Sequence, residues 1–291
     1  MTQQDGTRAA GSGYAALFET LGLEGRLGVV DVGAALAAAP SYAGLMADDR
    51  VDLVAIEPDA VQAGRLRQQH GARATVLEHV IGDGTPGLFR ETAASFTASL
   101  LEPDNTLAAA FNNLAPLSQV RARRPVATHR LDDLPEVVEV DFLKLDAQGG
   151  EGAILAGAPA TLARTLVLET EVLFLPLYRD QPLFADIDIA LRAAGFVFHT
   201  FRGVGQRAFA PLTVNGDPNK ALNQILWADA VYVRDWMALD ALSADRLARY
   251  AALMHGLYGS FDLAHRIVLA LQARGRHPDI AHRYLALLGG S

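Results

Sequence analysis

The chain has 291 residues, 51% of them hydrophobic and 20% charged, a formal net charge of −8 and no cysteine. Zero cysteine excludes a disulfide scaffold, an iron–sulfur protein, a cysteine-ligated zinc finger and a thiol nucleophile, and the acidic balance argues against nucleic acid as a partner, because neutralising phosphates needs clustered positive charge. No apolar run approaches the ~18–20 residues of a membrane-spanning helix, and the start (MTQQDGTRAAGSG) lacks the basic and apolar stretches of a signal peptide, so a soluble cytoplasmic protein away from membranes is expected.

Residues 1–12 are polar and glycine-rich, and Tyr14, Leu17, Phe18 and Leu21 then mark one face of a short helix. From Gly28 onward, short Val- and Ile-rich runs alternate with helical patterns, which predicts βαβ units around a mostly parallel α/β sheet. The first run, 27–33, leads into an alanine-rich helical stretch to about Ala47 that Pro40 interrupts. The second, 51–59, precedes a helix from Ala60 to about His70 that stops at Gly71; the third is 74–84. A less regular region with turn signals at 103–105 and 112–113 fills 85–125. A short strand at 126–131 is followed by the core run 140–146 and a helix over about 150–156. Next come the run 165–172, a helix from about 183 to 194 ended by Gly195, and last strands at 196–201 and 224–233. Beyond Trp236 the strand pattern disappears, and Ser243, Ser260 and Pro278 open three helices. The expected organisation is a tail and helix over 1–27, an α/β domain over 28–235 and a helical appendage over 236–291.

In an open parallel sheet, ligands sit at the carboxyl ends of the strands, near the switch point of the topology. The first run ends in Asp31-Val32-Gly33-Ala34, where a glycine allows a tight turn and brings backbone N–H groups near a ligand. The second ends in Glu57-Pro58, an acid about 20 residues on and suited to ribose hydroxyls. The third ends in Gly82-Asp83-Gly84, from which Asp83 can reach an adenine amino group. Three such ends in order point to a nucleoside. Ala35 and Ala37 stand where a dinucleotide site would carry glycines, which disfavours a pyrophosphate and favours adenosine without phosphate: S-adenosylmethionine.

DVGA at 31–34, AIEPD at 55–59, ASLLEPD at 98–104, HRLDDL at 129–134, DFLKLDAQGGEGAILAGA at 141–158, ETEVLFLPLYRDQPLF at 169–184 and ADAVYVRD at 228–235 resemble the FkbM-type methyltransferase family. The resemblance spans roughly residues 28–235 and is densest over 141–184. It implies a Rossmann-like class I methyltransferase sheet of seven strands, mostly parallel with an antiparallel last strand. It also implies S-adenosylmethionine as donor and O-methylation of a hydroxyl on a sugar, polysaccharide or polyketide-like product. Asp31, Gly33, Glu57 and Asp83 match the family's cofactor-site positions. Ala35 and Ala37 depart from the Asn and Gly that the family often has there.

Methyl transfer to a hydroxyl is an in-line displacement that depends on positioning, and an unactivated sugar hydroxyl also needs a base or a metal. Asp146, at the end of the fourth strand, is the expected general base. Gln148 and Glu151 flank the Gly149-Gly150 turn and can orient the acceptor, although Glu151 also suits a helix N-terminus for its own sake. Glu169 and Glu171 alternate with apolar residues and so share a face; Glu171 is a further catalytic candidate. Lys144 is one of only two lysines among 25 basic residues. Inside an apolar strand its ammonium needs a carboxylate, with Glu169, Glu171 and Asp31 in reach, and the pairing either stabilises the sheet or orients the site. His199 reads chiefly as structural, His255, His265, His277 and His282 as surface or packing residues, and Arg246, Arg249, Arg266 and Arg274 as solvated faces. Asp146 with Glu169 or Glu171 can mimic a cation site, but no tight ligand spacing supports one, so no metal is expected.

Two other functions are open: a nicotinamide-dependent oxidoreductase, which the single-glycine turn disfavours, and a degenerate methyltransferase-fold scaffold or partner subunit, which Ala35 and Ala37 favour. The expected partner is a small-molecule or glycan acceptor, its pocket built from 85–125, 202–223 and the C-terminal helices. Those helices can cover the acceptor or mediate a homodimer.

Overall fold

The structure, a computed structural model, describes residues 13–35 and 39–289. Seven strands form one sheet: β1 (Leu27–Val32), β2 (Val51–Ile56), β3 (Ala74–Leu77), β4 (Phe142–Leu145), β5 (Val167–Leu173), β6 (Phe196–Gln206) and β7 (Ile225–Arg234). Their spatial order is β3-β2-β1-β4-β5-β7-β6. The pairs β2/β3, β1/β4 and β4/β5 are parallel, and β7 runs antiparallel to both β5 and β6. This is the mostly parallel, Rossmann-like sheet of seven strands with an antiparallel last strand that the family resemblance implies. The sheet grows outward in both directions from β1 and β4, so the switch point lies between them.

Burial explains why the central strands read as continuous apolar runs, since a parallel sheet is covered on both faces. Every residue of β1 is buried. On one face Val30, Val32, Leu143, Leu145 and Leu168 pack in a core with Ile154, Leu155, Leu162, Ile187 and Leu191. These last come from the helices Glu151–Ala156, Pro159–Arg164 and Phe184–Ala193. The other face carries Asp31, Lys144 and Glu169 side by side across β1, β4 and β5.

Local chemistry sets the helix ends. The Asp59 carboxylate accepts a 2.9 Å bond from the Gln62 amide to open the helix Ala60–His70, and Gly71, at φ +56°, ends it. The helix Pro159–Arg164 is capped from a distance. Asp132 accepts bonds from the Ala160 amide (2.8 Å), the Thr161 amide (2.7 Å) and the Thr161 hydroxyl (2.7 Å). Partial burial would raise this carboxyl, but the three donors outweigh it and hold it below the ordinary range. A depressed folded-state value means stability that is present above the unfolded pKa, about 3.9, and is lost as the pH falls through the folded one. Asp132→Ala is therefore expected to cost about 1–2 kcal/mol in urea unfolding at neutral pH, with the gap to the wild type closing below about pH 4.

The described residues of 1–27, 38–51 and 236–291 form one compact unit, and those of 28–37 and 52–235 another. The first holds the helices Gly13–Leu21, Ala43–Ala47, Ala244–Tyr258, Phe261–Ala273 and Ile280–Gly289. Ser243 caps its helix by accepting from the Arg246 amide at 3.3 Å. His255 lies 3.1 Å from the Tyr284 hydroxyl, and burial lowers its pKa, in keeping with a packing role. Among the arginines read as solvated, Arg266 and Arg274 are exposed and Arg249 is partly buried, and these three also make contacts. Arg249 pairs with Asp245 at 2.8 Å and donates to the Arg26 carbonyl. Arg266 stacks 5.2 Å from the Trp236 ring, and Arg274 donates to the Asp240 carbonyl.

Four expectations change. After β1 the described helix spans only Ala43–Ala47; Ala37 lies outside the described residues. The run 74–84 is two strands, because the chain leaves β3 at Leu77 and Val80–Ile81 pairs with Thr128–His129 in a separate small sheet. The region 85–125 contains an antiparallel hairpin, Gly87–Thr92 with Val120–Val126. Finally, β6 runs on to Gln206.

Candidate active site

At the switch point Gly33 has φ +78°, and its amide donates to the Ile56 carbonyl at 2.9 Å. A Cβ there would collide with the Asp146 carbonyl, so only glycine lets the turn after β1 lie against the end of β4. The Asp146 amide in turn bonds to the Val32 carbonyl at 2.9 Å. Beside this junction lies a cavity of about 470 Å³, lined among others by Gly33, Ala35, Glu57, Pro58, Asp146 and Gln148. Glu57 is only 7% exposed, and its Oε1 accepts from the Asp59 amide at 2.8 Å. Burial raises its pKa, against that hydrogen bond, and Asp59, Asp31 and Asp146 push the same way.

The other candidate cofactor residues lie elsewhere. Asp31 and Ala34 are buried behind the junction. Gly82 and Asp83 do not line the cavity; His79, Val80 and Ile81 do. Asp83 is fully exposed and caps its own turn, accepting from the Thr85 amide (2.9 Å) and hydroxyl (2.6 Å), which hold its carboxyl below the usual range. It is a turn residue because β3 ends at Leu77, well before the end of the run at Gly84.

A wall missed in the sequence comes from the hairpin and the segment after it: Phe89, Glu91, Phe96 and Arg124 all line the cavity. Arg124 lies 5.0 Å over the Phe89 ring and 3.0 Å from Glu91. The sequence signal is charge complementarity, since GLFRET carries the acid that VRARRPV needs, not apolar alternation.

The acid-bearing face of the sheet is organised around Lys144. Its Nζ lies 3.2 Å from Asp31 Oδ1 and 3.9 Å from Asp146 Oδ2. Burial works to discharge it, but Asp31, Asp146 and Glu169 outweigh that and raise its pKa, so the ammonium stays charged. Of the three partners considered, Asp31 is the one in hydrogen-bond contact. Glu169 lies 3.5 Å from Arg202. Glu171 sits in register with Asp229 of β7. Burial, then Asp146, Glu151 and Asp229, push Glu171 well above the carboxylate range, while burial and then Glu169 and Asp146 raise Asp229.

Gln148 joins these acids. Its Nε2 donates to Asp146 Oδ1 at 2.8 Å and to Glu171 Oε2 at 3.1 Å. Glu151 turns inward to accept from the Ala147 amide at 2.8 Å, and burial pushes it up to about 7; it braces the loop rather than facing the cavity. His199 sits at a register shift between β6 and β7 and does not line the cavity. Among the described residues no three His, Asp or Glu side chains cluster to hold a metal ion, and no helix is long and apolar enough to cross a membrane.

The chain is similar to known proteins in three ways. The methyltransferase FkbM domain model matches residues 31–198, more than half of the sequence. The 2-O-methyltransferase NoeI of Sinorhizobium fredii is 29% identical over 176 residues, 58% of this chain and 68% of that protein. Among solved structures, a precorrin-6y C5,15-methyltransferase from Geobacter metallireducens aligns over 76% of this chain and 87% of its own, with 12% identity and a TM-score of 0.38. The 23S rRNA methyltransferase ErmE aligns over 95% and 96%, with 13% identity and a TM-score of 0.34. With the matched domain beginning at Asp31 and running through β5 into β6, the chain belongs to the FkbM methyltransferase family.

Proposed function

We propose that this protein is an S-adenosylmethionine-dependent O-methyltransferase whose acceptor is a hydroxyl of a sugar, polysaccharide or glycosylated natural product. The observation that carries the reading is the convergence of Gly33, Glu57 and Asp146 on one cavity at the switch point of the sheet. The residues fit an adenosine-bearing group. Glu57 presents a carboxylate suited to a vicinal diol, the Gly33 turn keeps side chains out of the floor, and about 470 Å³ is room for a small ligand. The likeness to a 2-O-methyltransferase supports oxygen as the acceptor atom and a sugar-like substrate.

S-adenosylmethionine, when bound, supplies an electrophilic sulfonium methyl. Glu57 would hold the ribose, and Asp146 would take the hydroxyl proton. Gln148 occupies Asp146 Oδ1, which leaves Oδ2, on the side of Lys144, as the proton-accepting atom.

Calorimetric titration with S-adenosylhomocysteine tests the cofactor half. Binding is expected, and Glu57→Ala should weaken it about ten- to hundred-fold, since hydrogen bonds to a charged group are worth about 1.5–3 kcal/mol. No heat with the wild type would overturn the reading; unchanged affinity in the variant would overturn the ribose assignment. Mass spectrometry of products from labelled donor and a glycan panel tests the acceptor half, and methyl groups found only on nitrogen or carbon would refute O-transfer.

A further inference from the structure

We propose that Gln148 is the positioning residue of the site: a fixed amide that bridges Asp146 and Glu171 and holds the Asp146 carboxylate in the orientation that proton transfer needs. The proposal rests on the methyltransferase reading above for its consequence in turnover, but the clamp itself is geometric.

Four contacts define it. The Ser99 hydroxyl, on a residue 1% exposed, donates to the Gln148 carbonyl at 2.7 Å and anchors the backbone. Gln148 itself is held at φ +51°, a left-handed conformation that non-glycine residues adopt only where their surroundings impose it. From that backbone the side chain reaches Asp146 Oδ1 and Glu171 Oε2 with one nitrogen, each acid taking one N–H. Behind it, the buried Tyr178 hydroxyl shares its proton between the Thr97 carbonyl at 3.0 Å and Gln148 Oε1 at 3.3 Å. Turned over, the amide would set its oxygen against the Asp146 carboxylate, so the orientation with Nε2 toward Asp146 is the favourable one. The Tyr178 hydroxyl bonds to the Thr97 carbonyl and Gln148 rather than to either acid, and it does not line the cavity, so its hydrogen-bonded link to Asp146 runs through Gln148.

Asp146 and Glu171 crowd one another across the loop, and burial together with that crowding holds Glu171 well above the carboxylate range. The other titratable groups around them are Lys144 on β4, Asp229 on β7, Glu57 at the end of β2, Glu151 and Tyr178. Lys144 is their nearest cation and already serves Asp31 at 3.2 Å, so the amide is the donor that Asp146 at the cavity shares with the buried Glu171 behind it.

The test uses two variants. Gln148→Asn keeps an amide and tolerates a left-handed backbone but is one methylene too short to reach both acids. Tyr178→Phe removes only a hydroxyl remote from the cavity. The direct readout is the carboxyl-carbon NMR titration of labelled Asp and Glu between about pH 4 and 9, the pair being assigned with Asp146→Asn and Glu171→Gln. The pair is expected to titrate about one unit higher in Gln148→Asn, and less so in Tyr178→Phe, because a lost N–H donor disfavours the charged form. In turnover, Tyr178→Phe should lower kcat about ten-fold with its affinity for S-adenosylhomocysteine within about two-fold, and the acid limb of kcat should move up with the titration. Titration curves unchanged in both variants would overturn the proposal even if thermal stability fell, since a merely structural role lowers Tm without moving the pair. A wild type that fails to bind S-adenosylhomocysteine would sink the methyltransferase reading instead, and the titration would still decide the clamp.

Discussion

Asp146→Asn is expected to cut turnover by about two to four orders of magnitude, the usual worth of a general base, while S-adenosylhomocysteine still binds within a few-fold. The substitution is isosteric, and the structure shows what it leaves intact. Asparagine Oδ1 still accepts from Gln148 Nε2, and the backbone amide of residue 146 still bonds to the Val32 carbonyl. The carbonyl that lies against Gly33 is unchanged. Lys144 loses the second of its two carboxylates, at 3.9 Å, and keeps the first, at 3.2 Å, so the ammonium remains paired and the melting temperature should change little. What disappears is proton acceptance at Oδ2. Single-turnover methyl transfer with saturating donor isolates that step, and a rate near the wild type's would remove Asp146 from the chemistry.

The parts of this fold that local pattern revealed are those whose chemistry is local. β1, β4 and β5 are buried on both faces, so they read as apolar runs broken only by Asp31, Lys144 and the Glu169-Thr170-Glu171 stretch. Gly33 and Glu57 stand where such runs end, and the structure brings both to the cavity. Asp83 misled for a non-local reason. Val80–Ile81 resumes the apolar pattern after Glu78-His79 but pairs with Thr128–His129, nearly fifty residues away, rather than prolonging β3. The hairpin over the cavity was hidden because VRARRPV is a largely exposed strand, held by pairs such as Arg123 with Glu102 at 2.7 Å and Arg124 with Glu91 at 3.0 Å. Gln148 was visible as a polar residue beside Asp146, the proposed base, but its partners Ser99, Glu171 and Tyr178 come together only in the fold. Lys144 lies between these cases. Its burial inside an apolar strand demanded a carboxylate; strand register puts Asp31 and Glu169 on either side of it, and only the side-chain geometry, 3.2 Å to Asp31 with Glu169 turned to Arg202, selects Asp31.

Lys144→Met should destabilise the protein by about 3–5 kcal/mol in chemical unfolding, the cost of removing one partner from a buried ion pair. Asp31 is 3% exposed, and Glu169, Glu171 and Asp229 occupy the same sheet face, so the methionine variant would confine four acids there with Arg202 as a cation near Glu169. The folded-state pKa of Lys144 is raised, so its contribution is fully present below the unfolded value, about 10.4, and is lost only above it; the full deficit should appear at pH 7. Adding Asp31→Asn should recover a good part of the loss, because the second change removes the charge that the first left uncompensated, and a double-mutant cycle should show strong coupling. Additive effects would mean that Lys144 stabilises the sheet by packing rather than by pairing. Lys144→Arg separates charge from shape. An ammonium is a compact point charge that can sit between Asp31 Oδ1 and Asp146 Oδ2, whereas a guanidinium is a planar fork that cannot occupy that position unchanged. Arginine should therefore restore only part of the stability and little of the turnover. In a chain with 23 arginines and two lysines, the geometry between those two carboxylates is a physical reason for lysine at this position.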